Sequence, residues 1–199
     1  MPILIATDAW HPQVNGVVRT LTSLAHSASG LGEEIAFLTP EGFLSMGVPT
    51  YPGLRVALPN RGEIARRIEA VSPDAIHIAT EGPIGWAVRA YCRRRKLAFT
   101  TSYTTRFPEY VGVRTGLPLS VGYAVMRHFH AASSTVMVAT DSLRQELAAR
   151  GFRKLGFWTR GVDTELFSRA NVCAIRWTSF WSSLPAGPTA IRSVVGRSA

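Results

Sequence analysis

Residues 2–39 read PILIATDAWHPQVNGVVRTLTSLAHSASGLGEEIAFLT, and the period of the apolar side chains changes twice within them. Pro2–Ala6 is a short, wholly apolar run, the pattern of a strand covered on both faces. From Gly16 to Leu31, Val17, Thr20, Leu21, Leu24 and Ala28 fall near one face of a helix that Gly30 and Gly32 close. Glu34–Thr39 (EIAFLT) is a strand again. Strand, loop, helix and strand in that order make a parallel pair joined by a crossover.

The same alternation continues along the chain. Pro40–Gly53 is rich in Pro and Gly and reads as a loop, followed by a short strand at Leu54–Leu58. Arg61–Val71 reads as a helix stopped by Ser72-Pro73, Ala75–Ala79 (AIHIA) as a strand, and Pro83–Arg95 as a helix with Gly82 as cap and Pro83 in its first turn. Ala98–Ser102 is a strand, Leu119–Ala132 a helix and Thr135–Ala139 (TVMVA) a strand; Asp141 or Ser142 caps a helix to Arg150, and Phe157-Trp158 starts a last strand. The fold class is therefore α/β, a doubly wound parallel sheet. In such sheets ligands meet the carboxyl ends of the strands. That rule selects Thr7–Gly16, Thr80–Pro83, Tyr103–Tyr110, Thr140–Ser142 and Arg160–Asp163 as candidate segments.

Composition removes several function classes. The 199 residues include two cysteines, Cys92 and Cys173, outside any CxxC pair, so a disulfide framework and cysteine-held zinc are excluded. No apolar run reaches the roughly 18 to 20 residues of a membrane span. The start, MPILIATDAW, has no basic segment and no cleavage site, and the expected location is the cytoplasm. Residues 1–167 hold 18 Lys+Arg against 13 acids, a net of +5; residues 168–199 hold four Arg and no acid, a net of +4. The body is mildly basic, which suits a phosphate-bearing ligand or an anionic membrane. Helix-turn-helix, zinc-finger and RNA-recognition signatures are missing, so nucleic acid is not the expected partner.

Two loops carry the chemistry. In Asp8–Val17 a glycine opens a helix, where unpaired N–H groups and the dipole favour an anion such as phosphate. Asn15 as a plain cap and Gly16 as a plain turn is the alternative, and neither GxGxxG nor GxxxxGK[ST] is present. Thr100–Tyr110 gathers hydroxyls, Arg106 and two aromatic rings. Hydroxyls suit the O–H groups of a sugar and rings its C–H face, and Arg106 suits a phosphate. The alternative is a surface loop with Phe107 and Tyr110 plugging the core. Asp8 binds an acceptor hydroxyl or caps backbone; Glu81 touches a sugar hydroxyl or favours the next helix. His77 reads as an interior histidine. His128 and His130, two apart, point different ways on a helix and make no metal pair. Arg93–Lys96 is a solvated helix end or a site for anionic lipid headgroups, and Leu119–Ala132 is core or a membrane-contact helix.

Four segments in this order, TDAWHPQVNGVVRTL, PDAIHIATEGPIG, TTSYTTRFPEY and RGVDTELF, resemble the landmarks of the amino-terminal domain of glycosyltransferase family 4 over residues 1–167. The resemblance implies one Rossmann-like half of a GT-B architecture. It also implies retaining transfer of a hexose from a nucleotide sugar, with no cofactor and no metal, to a sugar or lipid acceptor. It assigns Asn15, Gly16 and Arg106 to the donor diphosphate and Asp8, Trp10, Glu81, Tyr103 and Thr104 to the acceptor. Catalysis would rest on Thr104 and Gly16. A lipid acceptor implies peripheral contact with the inner face of the plasma membrane. Thr104 stands where many members carry His, and a hydroxyl orients a sugar but takes no proton near neutral pH. Beyond RGVDTELF the second domain of the family is not recognisable; residues 168–199 read as an unassigned, disordered or frame-shifted tail of a truncated chain. Little or no transferase activity is expected of the chain alone, and a non-catalytic interaction remnant or a basic nucleic-acid binder are the competing readings.

Overall fold

The computed structural model describes residues 2–13, 15–48 and 51–159. In chain order they form β1 (Pro2–Ala6), α1 (Gly16–Gly30), β2 (Glu34–Leu38), β3 (Ser45–Val48), β4 (Tyr51–Ala57), α2 (Arg61–Val71), β5 (Ala75–Ile78), α3 (Pro83–Arg95), β6 (Thr100–Ser102), α4 (Phe107–Thr115), α5 (Leu119–His130), β7 (Thr135–Val138), α6 (Asp141–Ala149) and β8 (Leu155–Phe157). Six strands make one sheet in the order β2-β1-β5-β6-β7-β8, and every pair in it is parallel. The chain winds outward from β1 to β2, returns past β1, and winds the other way from β5 to β8. The reversal falls between β1 and β5, and the crevice outside their carboxyl ends is the switch point of a doubly wound sheet.

Register decides which residues share a face. Ile5, His77 and Thr100 are neighbours across β1, β5 and β6, as are Ala6, Ile78, Thr101 and Val136 across β1 to β7. The second row belongs to a core of Leu4, Ala6, Ile76 and Ile78 packed under α2 and α3, with Phe99 and Phe129. This core continues as Tyr103, Val136, Val138 and Leu147 beneath α5 and α6. The other face carries Ile5 and Ala79 against Leu21 of α1. Phe129 has no solvent exposure, and truncating such a ring costs about 3–5 kcal/mol. Buried Arg89 ties α3 to α5 by donating to the carbonyls of His128 and Phe129 at 2.7 and 2.8 Å, the end of α5 where a cation complements free carbonyls.

Three local expectations need correction. Residues 45–57 form an antiparallel hairpin, β3–β4, where the Pro and Gly content reads as loop up to Gly53. Arg55 secures it by donating to the hydroxyl and carbonyl of Ser45 at 2.8 and 2.9 Å. Phe107–Thr115 is a helix rather than a loop; Pro108 sits in its first turn and Gly116 closes it in the left-handed conformation. The cap of α6 is Thr140, whose hydroxyl accepts from Leu143 N, while Asp141 lies inside the first turn and accepts from Arg144 and Gln145. Residues 160–199, including RGVDTELF and the tail, lie outside the described residues.

Candidate functional site

At the switch point, the loop after β1 and the first turn of α1 stand over the sheet edge. Asn15 caps α1, its side-chain oxygen accepting from the N–H of Val17 and Val18, both at 3.0 Å. Among the described residues the Gly16 N–H has no acceptor. A Cβ built on Gly16 meets no protein atom within 4 Å, so the space over this helix start is open.

Asp8 takes the second of its two readings. Its carboxylate accepts from Ile84 N at 2.8 Å, Gly85 N at 3.2 Å and the Thr80 hydroxyl at 3.0 Å, while Thr80 accepts from Asp8 N. Asp8 therefore caps α3, whose own cap position is Gly82 and has no side chain to offer. Burial pushes the Asp8 pKa up, against the hydrogen bonds that pull it down. The contact explains the glycines of TEGPIG: a Cβ on Gly82 would lie 2.4 Å from the Asp8 carboxyl carbon, and one on Gly85 2.1 Å from the Thr80 carbonyl oxygen.

The residues after β6 divide between two sides, because successive side chains of an extended chain point opposite ways. Ser102 and Thr104 face the α1 side and line a small cleft with Val17, Thr20, Ala79 and Trp158. The Thr104 hydroxyl oxygen has no hydrogen-bond partner among the described residues. Tyr103 faces the other way, packed with Tyr123, Met126 and Phe152, and burial raises its phenol pKa. Glu81 is buried on that same side, its Oε1 3.4 Å from Nε2 of buried His130. His130 Nδ1 in turn lies 2.9 Å from the Thr101 hydroxyl. So the sheet edge brings Thr104 and the start of α1 to one small cavity, and puts Glu81 beside His130 of α5 and Tyr103 beneath α5 and α6.

The remaining candidates are elsewhere. Trp10 packs on Phe37 of β2, with ring centroids 4.6 Å apart. Arg106 is bound to Glu146 of α6 through both terminal nitrogens, at 2.7 and 3.3 Å. His128 stacks on Trp86 while His130 turns to the sheet, as their spacing requires. Among the described residues no three His, Cys, Asp or Glu side chains gather as a metal-binding set. His77, the interior histidine, has both ring nitrogens engaged, 2.8 Å from the hydroxyls of Thr100 and Ser102. Burial lowers its pKa to about 4. Ser102, Val17 and Trp158 were not singled out by sequence reasoning; counting back two residues from Thr104 along the strand finds Ser102.

A profile of the family described as Glycosyltransferase Family 4 matches residues 14–166. The chain belongs to glycosyltransferase family 4. It is 24% identical over 209 residues to a GDP-mannose-dependent alpha-mannosyltransferase of Mycobacterium tuberculosis (strain CDC 1551 / Oshkosh), covering 88% of this chain and 52% of that protein. It is 23% identical over 185 residues to a protein of the same description from Mycolicibacterium smegmatis (strain ATCC 700084 / mc(2)155), covering 82% and 48%. The chain thus spans about half the length of these curated relatives. Among solved structures, Anabaena Alr3699/HepE in complex with UDP and glucose matches with a TM-score of 0.53 and 14% identity, over 90% of this chain and 50% of that one. That likeness is one of fold, and it agrees with the Rossmann-like half of a GT-B architecture.

Proposed function

We propose that this chain supplies the acceptor-side half-site of a retaining, nucleotide-sugar-dependent hexosyltransferase, with GDP-mannose as the donor to try first. The observation that carries the reading is the shared edge: the first turn of α1, through Val17 and Thr20, and the segment after β6, through Ser102 and Thr104, meet around one small cavity of about 10 Å³, beside the open space over Gly16. Breaking the bond between a sugar and a diphosphate builds positive charge on the sugar and negative charge on the leaving group. Fixed donors directed at the leaving group lower that barrier. The Gly16 N–H and the positive end of α1 supply such a field. The Thr104 hydroxyl donates to or accepts from a sugar hydroxyl without taking a proton. Asp8, Glu81 and Tyr103 support the edge from behind, and Arg106, held by Glu146, fixes the turn that presents Thr104.

The reading needs no metal or other cofactor. Its acceptor is a sugar or lipid hydroxyl, and a lipid acceptor places the chain in the cytoplasm against a membrane. No Lys or Arg lines the cleft among the described residues. The described residues thus supply little of the charge needed by a departing diphosphate, and turnover by these 199 residues alone is expected to be little or none. Two cationic donors at the leaving group are worth several kcal/mol of barrier.

Calorimetric titration of GDP-mannose and GDP into the chain tests the reading, beside a transfer assay with radiolabelled donor. Weak binding that Gly16→Val removes, with no turnover above background, is the expected result. The space around Gly16 lets the variant fold, so the loss reports a blocked ligand. Absence of binding by any nucleotide sugar, or binding indifferent to Gly16→Val, overturns it.

A further inference from the structure

The last turn of α5 and the turn between α6 and β8 enclose a cavity of about 520 Å³. Arg127, Arg153 and Lys154 line it, against Ala124, Ala131 and Phe152. No Asp or Glu is among its lining residues. Its residues precede β7 and β8, so it lies at the amino-terminal ends of these strands, the sheet edge opposite the half-site proposed above.

The chain builds this cluster locally. Gly151 closes α6 in the left-handed conformation, with its N–H donating to the Ala148 carbonyl at 2.9 Å and the Phe152 N–H to the Leu147 carbonyl at 3.0 Å. Lys154 is left-handed too, at φ 58°, a conformation that glycine adopts at less cost than lysine. A Cβ on Gly151 would lie 3.6 Å from Arg127 Cδ, so the turn rests against the Arg127 stem. Arg127 Nη1 donates to the Arg150 carbonyl at 3.1 Å and Lys154 Nζ to the Ser133 carbonyl at 3.0 Å. Each cation is thus held by one carbonyl and keeps its other N–H donors.

Cations at a helix end ordinarily answer its free carbonyls. Here those carbonyls already have donors. Arg127 O accepts from Ala131 N, and His130 O from the N–H and hydroxyl of Ser133, while Arg89 serves His128 and Phe129. Elsewhere Arg95, Arg106, Arg144 and Arg150 each meet a carboxylate. Among the described residues Arg127, Arg153 and Lys154 meet none. Buried His130 forms part of the cavity wall, and Glu81, 3.4 Å from its Nε2, is not a lining residue. Unpaired cations around a concave space with apolar walls suit a phosphate carrying a small organic group.

From this arrangement we infer that the cavity between the end of α5 and the α6–β8 turn binds a phosphate ester of a small soluble molecule, such as a sugar phosphate. The inference does not rest on the glycosyl-transfer reading, because the two sites occupy opposite edges of the sheet.

Calorimetric titration of glucose 1-phosphate into the 199-residue chain tests it. The expected result is saturable binding that weakens with salt. Arg127→Gln with Arg153→Gln is expected to weaken it about tenfold or more, and Arg153→Gln alone about threefold. Arg153 is exposed and makes no hydrogen bond within the described residues, so the single variant keeps the fold, which an unchanged circular dichroism spectrum verifies. Gly16→Val, and Arg93→Gln with Arg94→Gln, are expected to leave the binding unchanged, since none of these residues lines the cavity. No binding at millimolar ligand overturns the inference. So does a loss caused by Gly16→Val but not by the Arg127 and Arg153 variants, which would move the ligand to the other edge, or an equal loss in the Arg93 and Arg94 variants, which would reduce it to diffuse charge. Binding to phosphatidic acid vesicles by a chain that ignores glucose 1-phosphate also overturns it, in favour of a lipid headgroup. GDP-mannose titration separates the two proposals: no donor binding with intact glucose 1-phosphate binding removes only the transferase reading.

Discussion

The two sides of the sheet edge, the α1 side and the α3–α5 side, receive side chains from the same short segments and treat them oppositely. On the α1 side, Val17, buried Ser102 and Thr104 line a small cavity of about 10 Å³, and the buried Thr104 hydroxyl has no partner among the described residues. On the other side, Glu81, Tyr103 and His130 are buried in packing, and half-buried Asp8 holds the start of α3. The proposed reading gives adjacent residues different work: one set lies beside the ligand, and the other keeps the edge in shape. Substitutions should follow that division, changing affinity on the first side and stability on the second.

The largest effect is expected from Gly85→Ala. Its Cβ would lie 2.1 Å from a backbone oxygen that has no room to retreat, and chemical denaturation should show a loss of about 3 kcal/mol or more, or no folded protein. Asp8→Asn comes next. An amide cannot accept for both Ile84 N and Gly85 N as the carboxylate does, and a loss of about 2–3 kcal/mol is expected in the same measurement. A neutral result for Asp8→Asn would break the comparison, because it would free Asp8 for a ligand.

The third prediction concerns His77, which lies under the cleft and has a pKa lowered by burial to about 4. The unfolded state, with a histidine near pH 6.5, binds the proton more readily. The stabilising difference is therefore fully present above about pH 6.5 and is lost as pH falls toward 4. Between pH 7 and pH 5 it amounts to about 2 kcal/mol, and His77→Gln should remove that part of the pH dependence. The smallest expected change in stability, within about 0.5 kcal/mol of zero, is for Thr104→Val, since the hydroxyl it removes is unpaired. Its effect belongs to the ligand, a fall of about tenfold in affinity for the donor sugar or about 1.4 kcal/mol.

Most of the sheet is legible in the sequence because most of its strands are largely apolar and several of its helices are bounded by Gly or Pro. PILIA, AIHIA and TVMVA fall on β1, β5 and β7, and Ser72-Pro73 ends α2 as its composition requires. The β3–β4 hairpin is hidden by its own Gly and Pro residues, because a two-stranded ribbon outside the main sheet needs no continuous apolar run. α4 is hidden by the hydroxyl-rich segment before it, although Pro108 marks its first turn. The site is less legible than the fold. Asp8 and Thr80 are 72 residues apart, and nothing local to either shows that their meeting caps a third segment. Arg106 reads as a phosphate ligand until Glu146, 40 residues on, is seen beside it. The division of Thr104 from Tyr103 is legible in principle, because it follows from the strand period once β6 is known to run through Ser102.

The division between the two sides is tested most directly by mapping amide chemical shifts during a titration with GDP-mannose. The account predicts the largest changes at Gly16, Val17, Ser102 and Thr104, with Glu81 and His130 moving little. Changes centred on Glu81 and His130, with Gly16 and Thr104 unmoved, would contradict it.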